Sequence, residues 1–250
     1  MAAAIVMATT AIMGTATRMG MATITMIEPL ALSRLLQLAS PMLPVGAYSY
    51  SGGFEAAIES GTVRDADSAR SWIADVLDLY LARFELPILY RLYRAWTHGG
   101  DVEDWNARFR AGRDTAEGRA ETIQMGGSLT LLLRDLGGFP EQGLARLQAM
   151  APVTFPLAYA FASAHWAIPA EAMLHAYAWS WAENQVCVAM KAVPIGQVAG
   201  QRILAAVSAG IPAIVESAID YPDEAISNFA PGLTLAACRH ETQYSRLFRS

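Results

Sequence analysis

PAEAMLHAYAWSWAENQVCVAMKAVPIGQ, residues 169–197, is the stretch that decides the fold. Between residues 173 and 190 it is apolar on nearly every side, with alanines interleaved among Tyr177, Trp179 and Trp181. A helix that is hydrophobic all round is buried by its neighbours, and small side chains let those neighbours come close. The stretch therefore predicts a central buried helix with other helices packed around it.

The same stretch carries a few polar residues. Asn184 and Lys191 are seven residues apart and so lie on one face of a helix, with Glu183 and Gln185 beside Asn184. Polar groups on a buried helix need partners or water. Lys191 also lies near the helix C-terminus, where a cation complements the helix dipole. The pattern leaves open whether Lys191 only stabilises the helix end or also faces a partner.

Outward from this helix, apolar residues from Glu28 onward recur three and four apart, and no convincing alternation typical of strands appears. Glycine and proline divide the chain into segments. The prediction is an all-α single domain of residues 27–250, a bundle of roughly ten helices around the central one. The predicted helices, besides those of segment 65–96, span 29–39, 53–60, 101–114, 116–136, 141–149, 154–166, 169–191, 194–210 and 232–244.

Segment 65–96, DADSARSWIADVLDLYLARFELPILYRLYRAW, shows the helical pattern most clearly. Asp65 or Asp67 can cap its N-terminus. Pro87 either opens a new helix or kinks the old one. The apolar residues expected to share one broad face are Trp72, Val76, Leu79 and Phe84.

Composition limits the classes of partner. The chain has 250 residues, of which 54% are hydrophobic and 16% charged, enough for a sizeable core. Its net charge of −5 does not favour binding to nucleic acid or to an anionic membrane. The two cysteines, Cys187 and Cys238, form no CxxC pair, which argues against a disulfide framework and a closed zinc site. A reducing cytoplasm fits this composition.

Residues 1–26, MAAAIVMATTAIMGTATRMGMATITM, form a separate compositional region of alanine, threonine and methionine. They lack the basic start of a signal peptide and are too interrupted for a membrane span. We expect a disordered extension, with the position of the start codon in question. A secretory leader remains an alternative because apolar, alanine-rich leaders look similar.

The sequence yields no catalytic constellation and no cofactor or metal motif. GAYSYSGG, residues 46–53, contains Ser49 and Ser51 but matches neither a nucleophile elbow nor a phosphate-binding loop. HETQY begins at His240 like a zinc-binding helix but has Tyr244 where the second histidine must stand. The remaining histidines are isolated, and a metal site needs several converging ligands.

Two other stretches have residues typical of surfaces that bind other proteins. In the loop of residues 41–53, Pro41, Pro44 and Gly46 bend the chain around Tyr48 and Tyr50, which are aromatic but carry a polar tip. The tail, residues 239–250 (RHETQYSRLFRS), alternates arginines with large apolar side chains. Chain ends are usually polar and unspecific. This one is therefore predicted to dock against a surface.

Three blocks together are recognisable. LLQLASPMLPVGAYSYSGGFEAAIESG (35–61), KAVPIGQ (191–197) and RHETQYSRLFRS (239–250), in this order and at these distances, resemble the urease accessory protein UreF family over roughly residues 30–250. One departure is Gly52-Gly53-Phe54, where that family commonly has a larger polar residue, glycine and leucine.

The resemblance implies an all-helical, non-enzymatic protein without a cofactor of its own. Members of the family help to load nickel into apo-urease. They pair with UreD, also called UreH, form homodimers, recruit the GTPase UreG, and are thought to couple GTP hydrolysis to nickel delivery. Left open beside this reading are a small helical hydrolase using Ser49 or Ser51, and a direct nickel carrier.

The resemblance also assigns residues to partners. The tail would order against UreD and against the loop at Tyr48, with Arg246 or Arg249 hydrogen-bonding there. Lys191, Gln197 and Glu55 would face UreG. The residues implied in UreD docking and tail ordering are Tyr48, Tyr50, Arg239, His240, Glu241, Tyr244, Arg246, Leu247, Phe248 and Arg249.

Overall fold

Helices build the structure, a computed structural model that describes residues 27–250. Within this range no strand forms, so the all-α prediction is confirmed. The extension predicted for residues 1–26 lies outside the described residues. The α-helices are α1 Pro29–Ala39, α2 Phe54–Glu59, α3 Ala66–Val76, α4 Leu86–His98, α5 Val102–Ala111, α6 Ala116–Leu136, α7 Glu141–Ala149, α8 Phe155–His165, α9 Ala170–Ala192, α10 Gln197–Ser208, α11 Ile211–Ile219 and α12 Pro231–Glu241.

Helix α9 is the central helix that the sequence predicts. It contacts α1, α2, α3, α4, α8, α10 and α11. Ala178, Ala182 and Ala189 are completely buried, so neighbouring helices approach its backbone closely. The buried apolar side chains of the described residues form one contiguous core around it.

Helices α3 and α4 are joined by a π-helical segment, Leu77–Glu85. Asp65 is the N-cap of α3, accepting from the Ser68 N–H at 2.9 Å, which settles the choice between the two aspartates. The prediction that Leu79 shares one face with Val76 and Phe84 is wrong, since Leu79 is 40% exposed whereas the other two side chains are buried. A π-helix bonds residue i to i+5 and shifts the phase of every following side chain, which a period of 3.6 does not anticipate.

Two predicted helix boundaries also differ. The helix predicted over 194–210 corresponds to α10, Gln197–Ser208, and the sequence did not predict the helix α11 that follows it. Pro212 suggested a stop, but it lies in the first turn of α11, where a missing N–H leaves no hydrogen bond unmade. Helix α12 ends at Glu241 rather than at residue 244.

Helices α10 and α11 form an apolar stretch, Gln197–Ile219, with a mean hydropathy of 1.5. By length and composition alone it could cross a membrane. A helix that packs inside a folded protein passes the same test, and about a third of this stretch is buried here. The stretch is therefore weak evidence for a membrane span.

Candidate functional site

The tail folds back onto the loop of residues 41–53. The Arg249 N–H donates to the Ser49 carbonyl oxygen at 2.8 Å. The N–H groups of Ser51 and Gly52 both donate to the main-chain oxygen of Ser250, at 2.6 and 3.1 Å. The Ser51 hydroxyl donates to the same oxygen. Loop and tail are thus joined by backbone hydrogen bonds that do not depend on the tail's side chains.

Glycine allows the loop to come this close to α12. Gly53 has φ +83°, and a Cβ there would lie 2.8 Å from the Ala237 nitrogen. Gly52 has φ +61° but open space around it. Glycine is therefore required at position 53 by the close contact, and at position 52 the left-handed φ favours glycine although the space around it is open.

Glu55 holds the tail from inside. It lies in the first turn of α2 and is only 6% exposed. Its carboxylate accepts the N–H of Leu247 at 2.6 Å and the N–H of Phe248 at 3.0 Å. Hydrogen bonds to an ionised group are about twice as strong as neutral ones. Glu55 is therefore the main anchor of the tail's backbone.

His240 lies beneath the tail and is completely buried. Its Nε2 is 3.2 Å from a Glu55 oxygen and its Nδ1 is 2.9 Å from a Glu117 oxygen. The Arg246 guanidinium donates to the other oxygen of Glu117. The Glu241 carboxylate accepts the Glu117 N–H at 3.1 Å. The tail thereby ties α2, α6 and α12 together through charged groups.

The polar face of α9 meets this assembly. The Asn184 side chain donates to the Tyr50 carbonyl oxygen at 3.1 Å. Lys191 places its Nζ 5.5 Å from the centroid of the Phe248 ring, which is buried. A cation over an aromatic face is attracted by the ring quadrupole. Asn184 thus supports the loop, and Lys191, seven residues later on the same face, supports the tail.

Other side chains of the tail and loop point outward. Tyr244 is fully exposed, Leu247 is 70% exposed and Tyr48 is 66% exposed. Arg239 and Arg249 are exposed as well. The tail therefore presents large apolar groups and arginines to solvent, while its backbone is fixed from beneath.

A cavity of about 360 Å³ lies under the loop, between α6 and α9, and Ser250 lines it. In its wall Arg113 is 2.5 Å from a Glu85 oxygen and donates to the Tyr80 hydroxyl at 3.1 Å. Tyr177 donates to the other Glu85 oxygen at 2.9 Å. Tyr80 and Glu85 both reach Arg113 because they are five apart in the π-helical segment, the spacing of its hydrogen bonds.

Glu121 connects this buried ion group to the tail. Its carboxylate is 3.5 Å from Arg113 and accepts the Ser250 hydroxyl at 2.9 Å. Burial raises the pKa of Glu121, and the neighbouring Arg113 opposes that rise. Burial also raises the pKa of Tyr50, as does Glu121, whereas Arg249 lowers it. The end of the tail thus lies among coupled ionisable groups.

The serines proposed as nucleophiles are part of the tail contact. Ser51 is completely buried and its hydroxyl is bonded to Ser250. Ser49 contributes its carbonyl oxygen to Arg249. Among residues 27–250, no three histidine, cysteine, aspartate or glutamate side chains are placed to hold one metal ion.

Known proteins are similar in sequence to this chain over most of its length. The UreF family profile matches residues 63–208. A urease accessory protein UreF from Methylobacillus flagellatus is 58% identical over 223 residues, which cover 88% of this chain and 98% of that protein. The chain belongs to the UreF family. A UreF from Azoarcus sp. is 56% identical, over 88% of this chain and 96% of the relative.

One relative of this UreF-family chain is longer. It is a bifunctional urease accessory protein UreEF from Bordetella bronchiseptica, 47% identical over 88% of this chain but only 52% of its own length. Membership of the UreF family supports a role in urease maturation. The family resemblance read from the three sequence blocks is thus confirmed.

The structure brings most of the sequence-predicted residues together and separates a few. Arg246 bonds Glu117 rather than the loop, and Glu55 lies inside, under the tail, rather than on a surface with Lys191 and Gln197. The sequence reasoning missed Arg113, Glu117 and Glu121, which are ordinary helix or loop charges until the fold pairs them. The only available signal was their density, with four charged residues at 113, 114, 117 and 119 followed by Glu121.

Proposed function

We propose that this chain is a cytoplasmic, non-enzymatic accessory protein of urease maturation. With UreD, also called UreH, it recruits the GTPase UreG and couples GTP hydrolysis to insertion of nickel into apo-urease. Nickel is the cargo of that process. The observation that carries the proposal is the tail, whose backbone is bonded inward to Glu55 and whose Tyr244 and Leu247 side chains face outward.

A docking surface of this kind needs little ordering when a partner arrives. Immobilising a side chain or a loop costs binding free energy, and a segment already fixed in its bound shape avoids that cost. Tyrosine and arginine are the residues that most often dominate interface energetics. Tyr244 and the neighbouring arginines therefore supply the chemistry expected for docking UreD.

Replacing Tyr244 and Leu247 together by alanine is expected to abolish co-purification with UreD. Both side chains point outward, so the variant keeps the backbone bonds to Glu55 and Ser49. Loss of two anchors at about 2 kcal/mol each corresponds to an affinity loss of about a thousandfold. Co-expression with tagged UreD and UreG, followed by size-exclusion chromatography, measures it.

A matched control removes two exposed leucines far along α6. Leu131 and Leu136 are 50% and 46% exposed, and their double alanine variant should still form the complex. If the Tyr244→Ala/Leu247→Ala protein keeps its helical content and still elutes with UreD, the tail is not the docking surface.

Lys191 and Gln197 remain the proposed UreG-facing residues. Both are exposed and lie on either side of the turn between α9 and α10. Glu55 is left out of this surface because its carboxylate is buried.

Lys191→Ala separates a stabilising role from a partner role. Loss of the helix-end and ring interactions should lower the free energy of unfolding by about 1 kcal/mol. UreG should be recruited less well to the complex with UreD, as measured by pull-down at equal loading. Arg202→Ala, an exposed cation on the next helix, is the control. Normal UreG recruitment by Lys191→Ala would leave Lys191 a purely structural residue.

The remaining partners are proposed on the family alone. A homodimer within the accessory complex stays a prediction. The UreEF relative carries a second accessory function in the same polypeptide. We therefore include among the proposed partners a protein that corresponds to the part of the UreEF relative that this chain does not cover.

A further inference from the structure

The cavity under the loop has the size and the walls of a ligand site. Its volume of about 360 Å³ lies within the range of small-molecule pockets, about 300–1,000 Å³. Three aromatic side chains of its wall, Phe155, Tyr159 and Tyr177, pack against one another with ring centroids 5.3–5.8 Å apart. Ligand pockets combine such apolar walls with a few polar groups that orient the ligand. The cavity can therefore hold one small organic molecule.

The polar part of the wall carries more negative than positive charge. Arg113 is 2.5 Å from a Glu85 oxygen and 3.5 Å from a Glu121 oxygen, and among residues 27–250 no other cation lies within 4.0 Å of either carboxylate. One guanidinium cannot neutralise two carboxylates. Lys191 also lines the cavity, but its Nζ lies over the Phe248 ring. Glu121, which has the longer contact with Arg113, is therefore the carboxylate that lacks a full counter-charge.

Tyr159 supplies a second group that lacks a partner. Its side chain is only 1% exposed, and its hydroxyl has no hydrogen-bond partner in the part of the chain that the structure describes. A buried hydroxyl left unpaired costs free energy. The Tyr159 ring packs edge-on against Tyr177, whose hydroxyl donates to Glu85, so Tyr159 lies beside the charged part of the wall. A ligand that donates N–H groups can satisfy the Tyr159 oxygen.

We propose that this cavity binds a small organic cation, a primary ammonium group carried on an apolar or aromatic body. An ammonium group has three N–H donors, and it donates here to Glu121 and to the Tyr159 oxygen. The aromatic wall packs against the body and attracts the cation through the ring faces. A metal ion fits the wall less well, because in residues 27–250 no three side chains are placed to hold one. The inference rests on the cavity and does not depend on the proposed function.

Three probes with a similar body and different charge test the proposal on the full chain. They are phenethylamine, phenethyl alcohol and phenylacetate, which near neutral pH are a cation, a neutral molecule and an anion. In titration calorimetry the amine should bind about tenfold to a hundredfold tighter than the alcohol, the gain expected from one hydrogen bond to a charged group. Phenylacetate should not bind. In ¹H–¹³C spectra the amine should shift the methyl signal of Met125, which lines the cavity. Equal affinities for amine and alcohol, or an unshifted Met125 methyl in the presence of bound amine, would contradict the proposal.

Variants test the two polar groups separately. Glu121→Gln removes the charge but keeps an oxygen that can accept the Ser250 hydroxyl, and it should abolish the preference for the amine. Tyr159→Phe should weaken amine binding by about twofold to tenfold without lowering the melting temperature, because the lost hydroxyl has no partner in the protein. Glu103→Gln removes an exposed acid of α5 and is the matched control. A folded Glu121→Gln protein that still prefers the amine overturns the proposal. If that variant does not fold, wild-type amine affinity in Tyr159→Phe does so.

Discussion

Glu55→Ala is expected to free the tail while the helical body remains folded. The carboxylate accepts two N–H groups of the tail and one ring nitrogen of His240. Hydrogen bonds to a charged group contribute about 1.5–3 kcal/mol each, so the seated tail should lose at least about 3 kcal/mol. That corresponds to about a hundredfold faster exchange of the Leu247 and Phe248 amides. UreD should no longer co-purify, because the outward side chains lose their fixed position.

Glu59→Ala is the matched control for this prediction. Glu59 lies one turn further along α2 and is exposed, so its removal deletes a negative charge from the same helix without touching the tail. Hydrogen exchange by mass spectrometry on residues 243–250 compares the two variants, and far-ultraviolet circular dichroism checks the fold. Unchanged tail protection in a folded Glu55→Ala protein would show that the backbone contacts with Ser49 and Ser51 suffice.

The fold was predictable to the extent that apolar periodicity determined it. Helix α9 is apolar all round, and no other arrangement buries such a helix except a central one. The π-helical segment and the junction of α10 with α11 were not predictable. In both places the hydrogen bonds made by the packed backbone determine the structure, and the side-chain pattern does not reveal them. The prolines do not help, because Pro87 and Pro212 are each compatible with a helix start as well as with a helix end.

Of the candidate site, only the loop of residues 41–53 and the tail could be predicted from the sequence, because their composition is unusual. Tyrosines in a proline-bounded loop and arginines among aromatics are conspicuous, so the loop and the tail could be selected from the sequence. Glu55 and Phe248 are 193 residues apart, and an acid in a helix looks like any solvated residue until the fold buries it. The side chains that hold the tail were therefore found only in the structure, or, for Glu55, assigned by resemblance to a different surface.

Arg113→Met is expected to cause the largest loss of global stability. The guanidinium is the cation paired with the buried Glu85, and it also lies beside Glu121. Removing one partner of a buried ion pair leaves an uncompensated charge and costs about 3–5 kcal/mol. For a chain of this size each kcal/mol lowers the melting temperature by about 2–4 °C. Scanning calorimetry should therefore show a drop of about 6–20 °C.

Comparison with two further variants tests the cause of that loss. Arg108→Met breaks an exposed ion pair with Asp104 and should change stability by less than about 1 kcal/mol. Adding Glu85→Gln to Arg113→Met should restore part of the loss, because a neutral amide that still meets the Tyr177 hydroxyl is less costly to bury than an unpaired carboxylate. Strictly additive losses in the double variant would mean that Arg113 stabilises the protein by packing alone. Partial recovery, together with faster exchange near Ser250, would identify the π-helical segment as the support that fixes the end of the tail through Arg113 and Glu121.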